Sequence, residues 1–483
     1  MNRRRFIKYA VGTAAIVGGS ALGLDYFLKL NPLSQTGGPT IITVTAPSIE
    51  NIEWTPTRVQ NSKVYDGRVA FDVKNVNQLS PDVKLDFQPL IPEQYPKAAF
   101  PAEDPRTYSL KPVSTVAETN TASFSQDITD LKGGKQYRAL ATIKEPTGRE
   151  VLDYKDTPYV REFEKFASKD VTVGVFYGTW WTYDRWHRYQ LTPTPILGNY
   201  DSGDMFAINR HIDMLTDFGG NAFLSYLDDE ARTDYNTSLL FDSPLIDDVQ
   251  IGLFYNVAWR LIRQNGEVNL NDSGIKNAFT SDLKYLAEKY FTRKSYFKTN
   301  GMPALYLYHA YVFSGDVEQR IKEIRESIRK ETGLDFFLIG NTVTWRSPRS
   351  SWIRPYDAIT GPFTNAYGEE GDNFPGSVED NEGSLRHLYQ VWSSYARELG
   401  VHFIPTAMPG FVSIRPSEKN KPVLSKSTKR FADQLKIGMD FLDDEIRCLF
   451  VTSWNDYEEN TDIEPTVQEG YSYLKILRDA ISS

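Results

Sequence analysis

Two carboxylate side chains three residues apart, Asp456 and Glu459, follow directly on an apolar run, Cys448-Leu449-Phe450-Val451-Thr452-Ser453, near the end of the chain. The stretch from Trp454 to Pro465 around them also holds Glu458, Asp462 and Glu464, and it is the densest group of acids immediately after a strand-like run. Two neighbouring acids can hold different protonation states, because a second negative charge beside the first is unfavourable. Glycosidic cleavage needs that division: one acid protonates the leaving oxygen while the other, ionised, acts as base or nucleophile. The same residues could instead form a solvated acidic loop, or part of a metal site without its other ligands. The five histidines, at 187, 211, 309, 387 and 402, show no i,i+4 spacing, and neither a nucleotide-phosphate loop nor a Gly-x-Ser-x-Gly elbow occurs. No metal and no cofactor is therefore expected.

Other strand-like runs also end in groups able to meet a ligand. The run 171–177 leads through Tyr177 into Trp180 and Trp181, and the loop 196–204 carries Tyr200 and Asp201 before a helix in which His211 reads as a packed histidine. Asp228 follows the run 222–226, Asn256 follows 251–255, and His309 and Tyr311 follow 304–308. Each alone suits a structural role. Their shared position at strand ends suits one pocket. With Trp454, Asn455 and Glu464 they make the candidate substrate-binding set, around Asp456 and Glu459 as the candidate catalytic pair.

The elements that would hold these groups alternate. Eight buried-type strands, at 171–177, 222–226, 251–255, 304–308, 336–340, 358–360, 401–405 and 448–453, are separated by helical stretches such as 206–218, 316–330, 385–399 and 429–442. That order predicts an α/β fold, a (β/α)₈ TIM barrel over 171–483, with its site at the C-terminal ends of the strands. An open doubly wound sheet is the alternative, and the lack of a glycine-rich loop after the first strand weakens it. Before the barrel, alternating runs such as Val69–Val73, Val83–Phe87 and Tyr137–Ile143, with turn residues between them, predict an N-terminal β-sandwich domain over 41–165. A fibronectin III-like arrangement is one candidate for it. Its expected work is to bind glycan, to act as a spacer, or to cover one side of the barrel.

Residues 1–27 open with Arg3-Arg4-Arg5-Phe6-Ile7-Lys8 and continue in apolar and small residues to about Leu24, the pattern of an export signal or a membrane anchor. The arginine cluster resembles a twin-arginine signal. Residues 28–40 read as a linker. The expected location is therefore extracellular or at the cell surface, with membrane association through the N-terminal segment.

The chain has 483 residues and a formal net charge of -9. Without the first 33 residues it counts 49 basic against 62 acidic side chains, and no compact basic stripe remains, so a nucleic-acid partner is not expected. Cys448 is the single cysteine, which rules out an intramolecular disulfide. Aromatic residues reach 13%, a share that suits either a large core or a sugar-binding groove.

The run Thr452-Ser453-Trp454-Asn455-Asp456-Tyr457-Glu458-Glu459-Asn460-Thr461-Asp462-Ile463-Glu464-Pro465 resembles the Ser-Phe-Asn-Glu-Trp-His-Glu-Gly-Thr-Gln-Ile-Glu-Pro-like segment of glycoside hydrolase family 99, the endo-α-mannosidase family. Phe176-Tyr177 with Trp180 and Trp181, Gly198–Asp204 before His211, Pro303–Tyr308 and Ile404–Phe411 support the likeness in the same order. The resemblance implies a (β/α)₈ barrel, an oligosaccharide or polysaccharide substrate and retaining cleavage of internal α-mannosidic bonds. It gives Asp456 the role of deprotonating the sugar 2-hydroxyl, to form a 1,2-anhydro intermediate, and Glu459 the role of general acid and then base. Asp456 stands where the family has glutamate, which shortens its reach by more than about 1 Å, a displacement that can cost roughly a hundredfold in rate. Asn256 lies near the position of a family glutamate that binds sugar. Glu458 has no acidic counterpart in the family run.

Overall fold

The computed structural model describes residues 46–76, 82–166, 170–188, 191, 193–228, 230–261, 265–361, 381–415 and 423–482. Eight strands open this part of the chain: β1 (Ser48–Gln60), β2 (Lys63–Lys74), β3 (Asp82–Leu90), β4 (Arg106–Leu110), β5 (Ser114–Val116), β6 (Thr121–Ile128), β7 (Gln136–Lys144) and β8 (Glu150–Asp156). They form two antiparallel sheets, ordered β1-β2-β6-β5 and β4-β3-β7-β8. Alternation decides which side chains enter the sandwich: in β7, Tyr137, Ala139, Ala141 and Ile143 are buried. They meet Val69, Phe71, Val83, Leu85 and Phe87 in one core.

Strand and helix then alternate through β9 (Thr172–Tyr177), α1 (Tyr183–Trp186), α2 (Met205–Asp217), β10 (Ala222–Leu227), α3 (Ala231–Leu240), β11 (Gln250–Asn256), α4 (Val257–Arg260), β12 (Val268–Asn269), α5 (Ser273–Leu286), β13 (Lys298–Thr299), β14 (Met302–Tyr308), β15 (Phe313–Ser314), α6 (Val317–Thr332), β16 (Phe337–Asn341), β17 (Ala358–Thr360), α7 (Asn381–Glu398), β18 (His402–Ile404), β19 (Thr406–Ala407), α8 (Thr428–Asp440), β20 (Cys448–Val451) and α9 (Ser472–Ser482). Some of these helices start on side-chain caps: Asp204 accepts the Phe206 amide before α2, Asp272 those of Gly274 and Ile275 before α5, and Ser427 that of Arg430 before α8. The outer helix α6 buries one stripe, Val317, Ile321, Ile324 and Ile328, whereas α2 is buried from Phe206 to Asp217.

The strands β9, β10, β11, β14, β16, β17, β18/β19 and β20 run parallel, and β20 pairs back onto β9, making a nearly closed TIM barrel preceded by the sandwich. The seventh position is split at Pro405, which has no N–H for the ladder, so β18 pairs with β17 and β19 with β20. Alternate residues fill the interior: Phe176, Leu224, Phe254, Tyr306, Ile339 and Phe450. Phe254 stacks on Tyr306 at 4.8 Å between centroids and meets Phe176 edge-on at the same distance. Gly252 is needed here, since a Cβ would lie 2.6 Å from Leu224 Cδ2. Cys448 is part of this interior, and burial pushes its thiol well above the usual range. Two residues further along the same faces, Tyr226, Asn256, Tyr308, Asn341, Thr360 and Thr452 crown the barrel at its C-terminal end.

The sandwich packs against α2. Tyr95, Phe100 and Tyr159 surround Phe206, and Asp213 is buried between two arginines, 3.3 Å from Arg161 Nε and 3.7 Å from Arg210 Nη1.

The expected anchored location is corrected by the helices. Among the described residues none is long and apolar enough to cross a membrane, because each apolar stripe is backed by a polar face, as the charged outer face of α6 illustrates. The segment 1–27 on which that expectation rested, and the linker 28–40, lie outside the described residues.

Candidate functional site

The loop after β20 folds back on itself. Ser453 N donates to Thr461 O at 2.8 Å, and the Ser453 and Thr461 hydroxyls meet at 2.8 Å. Ser453 Oγ accepts the Asp456 amide, and Asp456 Oδ1 accepts the Glu459 amide at 3.1 Å. This turn brings Asp456, Glu458 and Glu459 to one side, where the segment after β19 lies against it: Val412 N donates to Glu459 O and Ile414 N to Glu458 O, both at 2.9 Å. Arg415, next along that segment, faces all three acids. Its Nε is 2.8 Å from Glu458 Oε2, its Nη1 3.1 Å from Glu459 Oε1 and its Nη2 3.7 Å from Asp456 Oδ2. Arg185 of α1 takes Glu458 from the other side with two bonds, and its guanidinium lies over the rings of Trp180 and Trp181.

The electrostatics separate the acids. Burial raises Asp456 above the usual carboxylate range, and Glu458 adds to the rise, against the pull of Arg415 and Arg185. Glu458 is buried too, but hydrogen bonds from Arg185 and the charge of Arg415 outweigh that cost and hold it below the usual range. Beside Asp456, Tyr226 Oη accepts from Asn256 Nδ2 at 2.8 Å, and the Trp180 ring stands edge-on to Tyr226 at 4.9 Å. At the next strand end His309 has φ of 59°, stacks on Tyr308 at 3.7 Å and meets Tyr311 edge-on at 5.6 Å.

Several candidate binding residues sit deeper than Asp456 and Glu459, which are themselves buried but keep 8% and 9% exposure. Tyr177, Trp181, Tyr200, Trp454, Asn455 and Glu464 are buried. Glu464 accepts from Tyr200 and Tyr457 and lies 3.0 Å from His211 Nε2, while His211 Nδ1 meets the Tyr177 hydroxyl at 2.9 Å. Asn455 bonds Gly178 N and O and the Tyr200 hydroxyl. Apart from Trp454 Nε1, which is buried without a hydrogen-bond partner, these groups satisfy one another, so they set the shape of the loop. Tyr177 points this way because Phe176 takes the interior side of β9. Asp201 forms an ion pair with Arg232 further out, and Asp228 accepts from Glu230 N and Thr233 Oγ1 at the start of α3. Among the described residues no group of three or more His, Cys, Asp or Glu side chains is placed to hold a metal ion.

Sequence reasoning missed Arg415, Arg185 and Tyr226. The available signals were the excess of acids in one loop, which required cations from elsewhere, and the period-two rule, which puts Tyr226 on the same face as Leu224.

The barrel, with carboxylates gathered at the end of its last strand, has a glycoside-hydrolase-like fold. Residues 190–479 match the family model for glycosyl hydrolase family 99, and the chain belongs to that family. No curated protein matches the sequence. Among solved structures, a glycoside hydrolase-like protein is similar at 19% identity, with a TM-score of 0.54, over 66% of this chain and 96% of its own. The family 99 endo-α-mannosidase from Bacteroides thetaiotaomicron is similar at 18% identity, with a TM-score of 0.50, over 64% and 96%. These two likenesses concern the fold.

Proposed function

We propose that this chain is an endo-acting glycoside hydrolase that cleaves α-mannosidic or related bonds with retention through Asp456 and Glu459. The observation that carries the reading is that both carboxylates, three residues apart, turn toward the single guanidinium of Arg415 at the mouth of the barrel. In the proposed reaction Asp456 Oδ2 takes the proton of the sugar 2-hydroxyl as that oxygen attacks C1, and Glu459 gives its proton to the departing glycosidic oxygen. Water then opens the 1,2-anhydro sugar at C1, with Glu459 taking its proton and O2 recovering one from Asp456. The raised pKa of Asp456 suits a base, since proton affinity closer to the working pH strengthens general-base catalysis. In the free protein Arg415 balances the acids, and in the proposed complex a sugar hydroxyl entering between them takes over contacts that the guanidinium makes.

A second reading, a non-catalytic glycan binder, is favoured by Asp456 Oδ1 accepting the Glu459 amide, a bond that serves the turn whether or not chemistry occurs. Incubation with a panel of α- and β-linked oligosaccharides, followed by anomer analysis of the products, separates the two. The hydrolase releases products from an α-mannosyl member with retention and Glu459→Gln does not. Equal turnover by both proteins refutes the role of Glu459, and saturable binding without cleavage establishes the binder.

A further inference from the structure

Outside the acid cluster, on the side of α1 and the start of α3, a groove of about 340 Å³ is lined by Tyr183, Asp201, Gly203, Arg232, Tyr235 and Asn236. Tyr183 and Tyr235 are 42% and 61% exposed, although both are large enough to be worth burying. A single exposed ring needs no explanation, but two on one concavity do. Between them the groove carries a fork of opposite charges: Arg232 Nη2 lies 2.7 and 2.6 Å from the two oxygens of Asp201. The floor is bare at Gly203, where a Cβ would come within 2.8 Å of Asn236 Oδ1. Asn236 Nδ2 donates to Thr179 O, next to Trp180, which ties the groove to the wall of the carboxylate site. On its far edge Asp204 accepts from Tyr95 of the sandwich.

We infer that this groove is a second carbohydrate-binding site, which takes a neutral stretch of polysaccharide beside the cleavage site. Tyrosine faces suit the C–H faces of sugar rings. A guanidinium next to a carboxylate presents donors and an acceptor side by side, which is what two adjacent hydroxyl groups require. The volume is that of a small ligand site and does not suit a protein interface. An anionic ligand is disfavoured, since the lining carries Asp201 and Asp204 against the one cation Arg232. The inference rests on the proposed glycan substrate only for the chemical class of the ligand.

The test is affinity electrophoresis of the full chain through gels containing yeast α-mannan, dextran, xylan or a mixed-linkage β-glucan. Wild type, Glu459→Gln, Tyr235→Phe and the double variant Tyr183→Ala/Tyr235→Ala are compared, with melting temperatures as the folding control. Retardation of the first three in at least one gel, with at least a fivefold loss of apparent affinity in the double variant at an unchanged melting temperature, is expected. On a short oligosaccharide substrate the double variant keeps its turnover within twofold. Equal retardation of the double variant, or no retardation of wild type in any gel, overturns the inference. If the double variant loses retention and no glycan is cleaved by any of the proteins, the groove stands and the hydrolase reading falls. If glycan is cleaved and the double variant keeps full retention, the groove falls and the hydrolase reading stands.

Discussion

Arg185 Nε lies 2.6 Å from Glu458 Oε1, and Arg185 Nη2 lies 2.9 Å from the other oxygen of that carboxylate. Arg415 bonds Glu458 from the opposite side, so this buried acid joins two arginines and fixes the one that faces Asp456 and Glu459. Glu458→Gln keeps the shape and removes the charge that holds both guanidinium groups. We expect kcat on a cleaved oligosaccharide to fall at least tenfold. The loss of stability should be about 2 kcal/mol, below the range for a fully buried pair because both arginines are partly exposed. Steady-state kinetics and urea titration measure the two effects. Wild-type kcat in the variant would show that Arg415 keeps its place without Glu458.

Asp456 sets the acid limb of the pH–rate profile if it is the base, because only its ionised form accepts a proton. Burial holds its pKa above the usual aspartate range, so activity should fall toward acid pH earlier than an exposed aspartate would require. Arg415 acts in the opposite direction by favouring the charged form. Removing it in Arg415→Met should therefore move the limb of kcat/KM to higher pH, and Asp456→Asn should lose about 10²-fold or more of the rate. A limb that does not move in Arg415→Met counts against Asp456 as the titrating group.

The elements of the barrel were legible because parallel strands covered on both faces are continuous apolar runs, as in Val171–Tyr177 and Cys448–Val451. The acid-rich loop was legible because it follows such a run. Side-chain direction was less so. Tyr177 and Asn256 both end strands, yet Tyr177 faces α2 and Asn256 follows the interior face of Phe254, a difference that alternation from a known interior residue decides. Arg185 and Arg415 could not be picked out from other cations near them: each lies in a loop or a short helix, and only the folded chain brings them to Glu458 across separations of 273 and 43 residues. Glu464 resembled a ligand-binding acid, but its partners are His211, Tyr200 and Tyr457, and a tertiary network of that kind leaves no local pattern.

The seam between sandwich and barrel holds a buried ion network, in which Arg161 and Arg210 also pair with Asp248 and Glu162 at 2.8 and 2.6 Å. Asp213 is fully buried, receives the Glu162 amide at 2.7 Å, and lies between Arg161 and Arg210, which are themselves buried. Asp213→Ala leaves two cations facing each other with less counter-charge. Breaking a buried network in this way should destabilise the protein by about 3–5 kcal/mol. Asp213→Asn keeps the amide contact and should lose less. Urea unfolding curves compare the two variants. A loss below about 1 kcal/mol in Asp213→Ala would mean that the aromatic contacts around Phe206, with the pairs Arg161–Asp248 and Arg210–Glu162, hold the seam without Asp213.

Stability should carry a pH signature from Asp462. This residue is buried at the base of the acid loop, 2.7 Å from Lys426 Nζ, and burial raises its pKa to about 6 although the lysine opposes the rise. A carboxyl whose folded pKa lies above its unfolded one binds its proton more tightly in the folded chain. The stability it contributes is therefore fully present below about pH 4 and is lost as pH rises through about 6, by on the order of 2 to 3 kcal/mol. Asp462→Asn cannot ionise and escapes that loss. The melting temperature of wild type should thus fall relative to the variant between pH 4 and pH 6.5, and level off above that. Scanning calorimetry of the two proteins across that range measures the difference. A constant gap would mean that Lys426 keeps Asp462 ionised throughout.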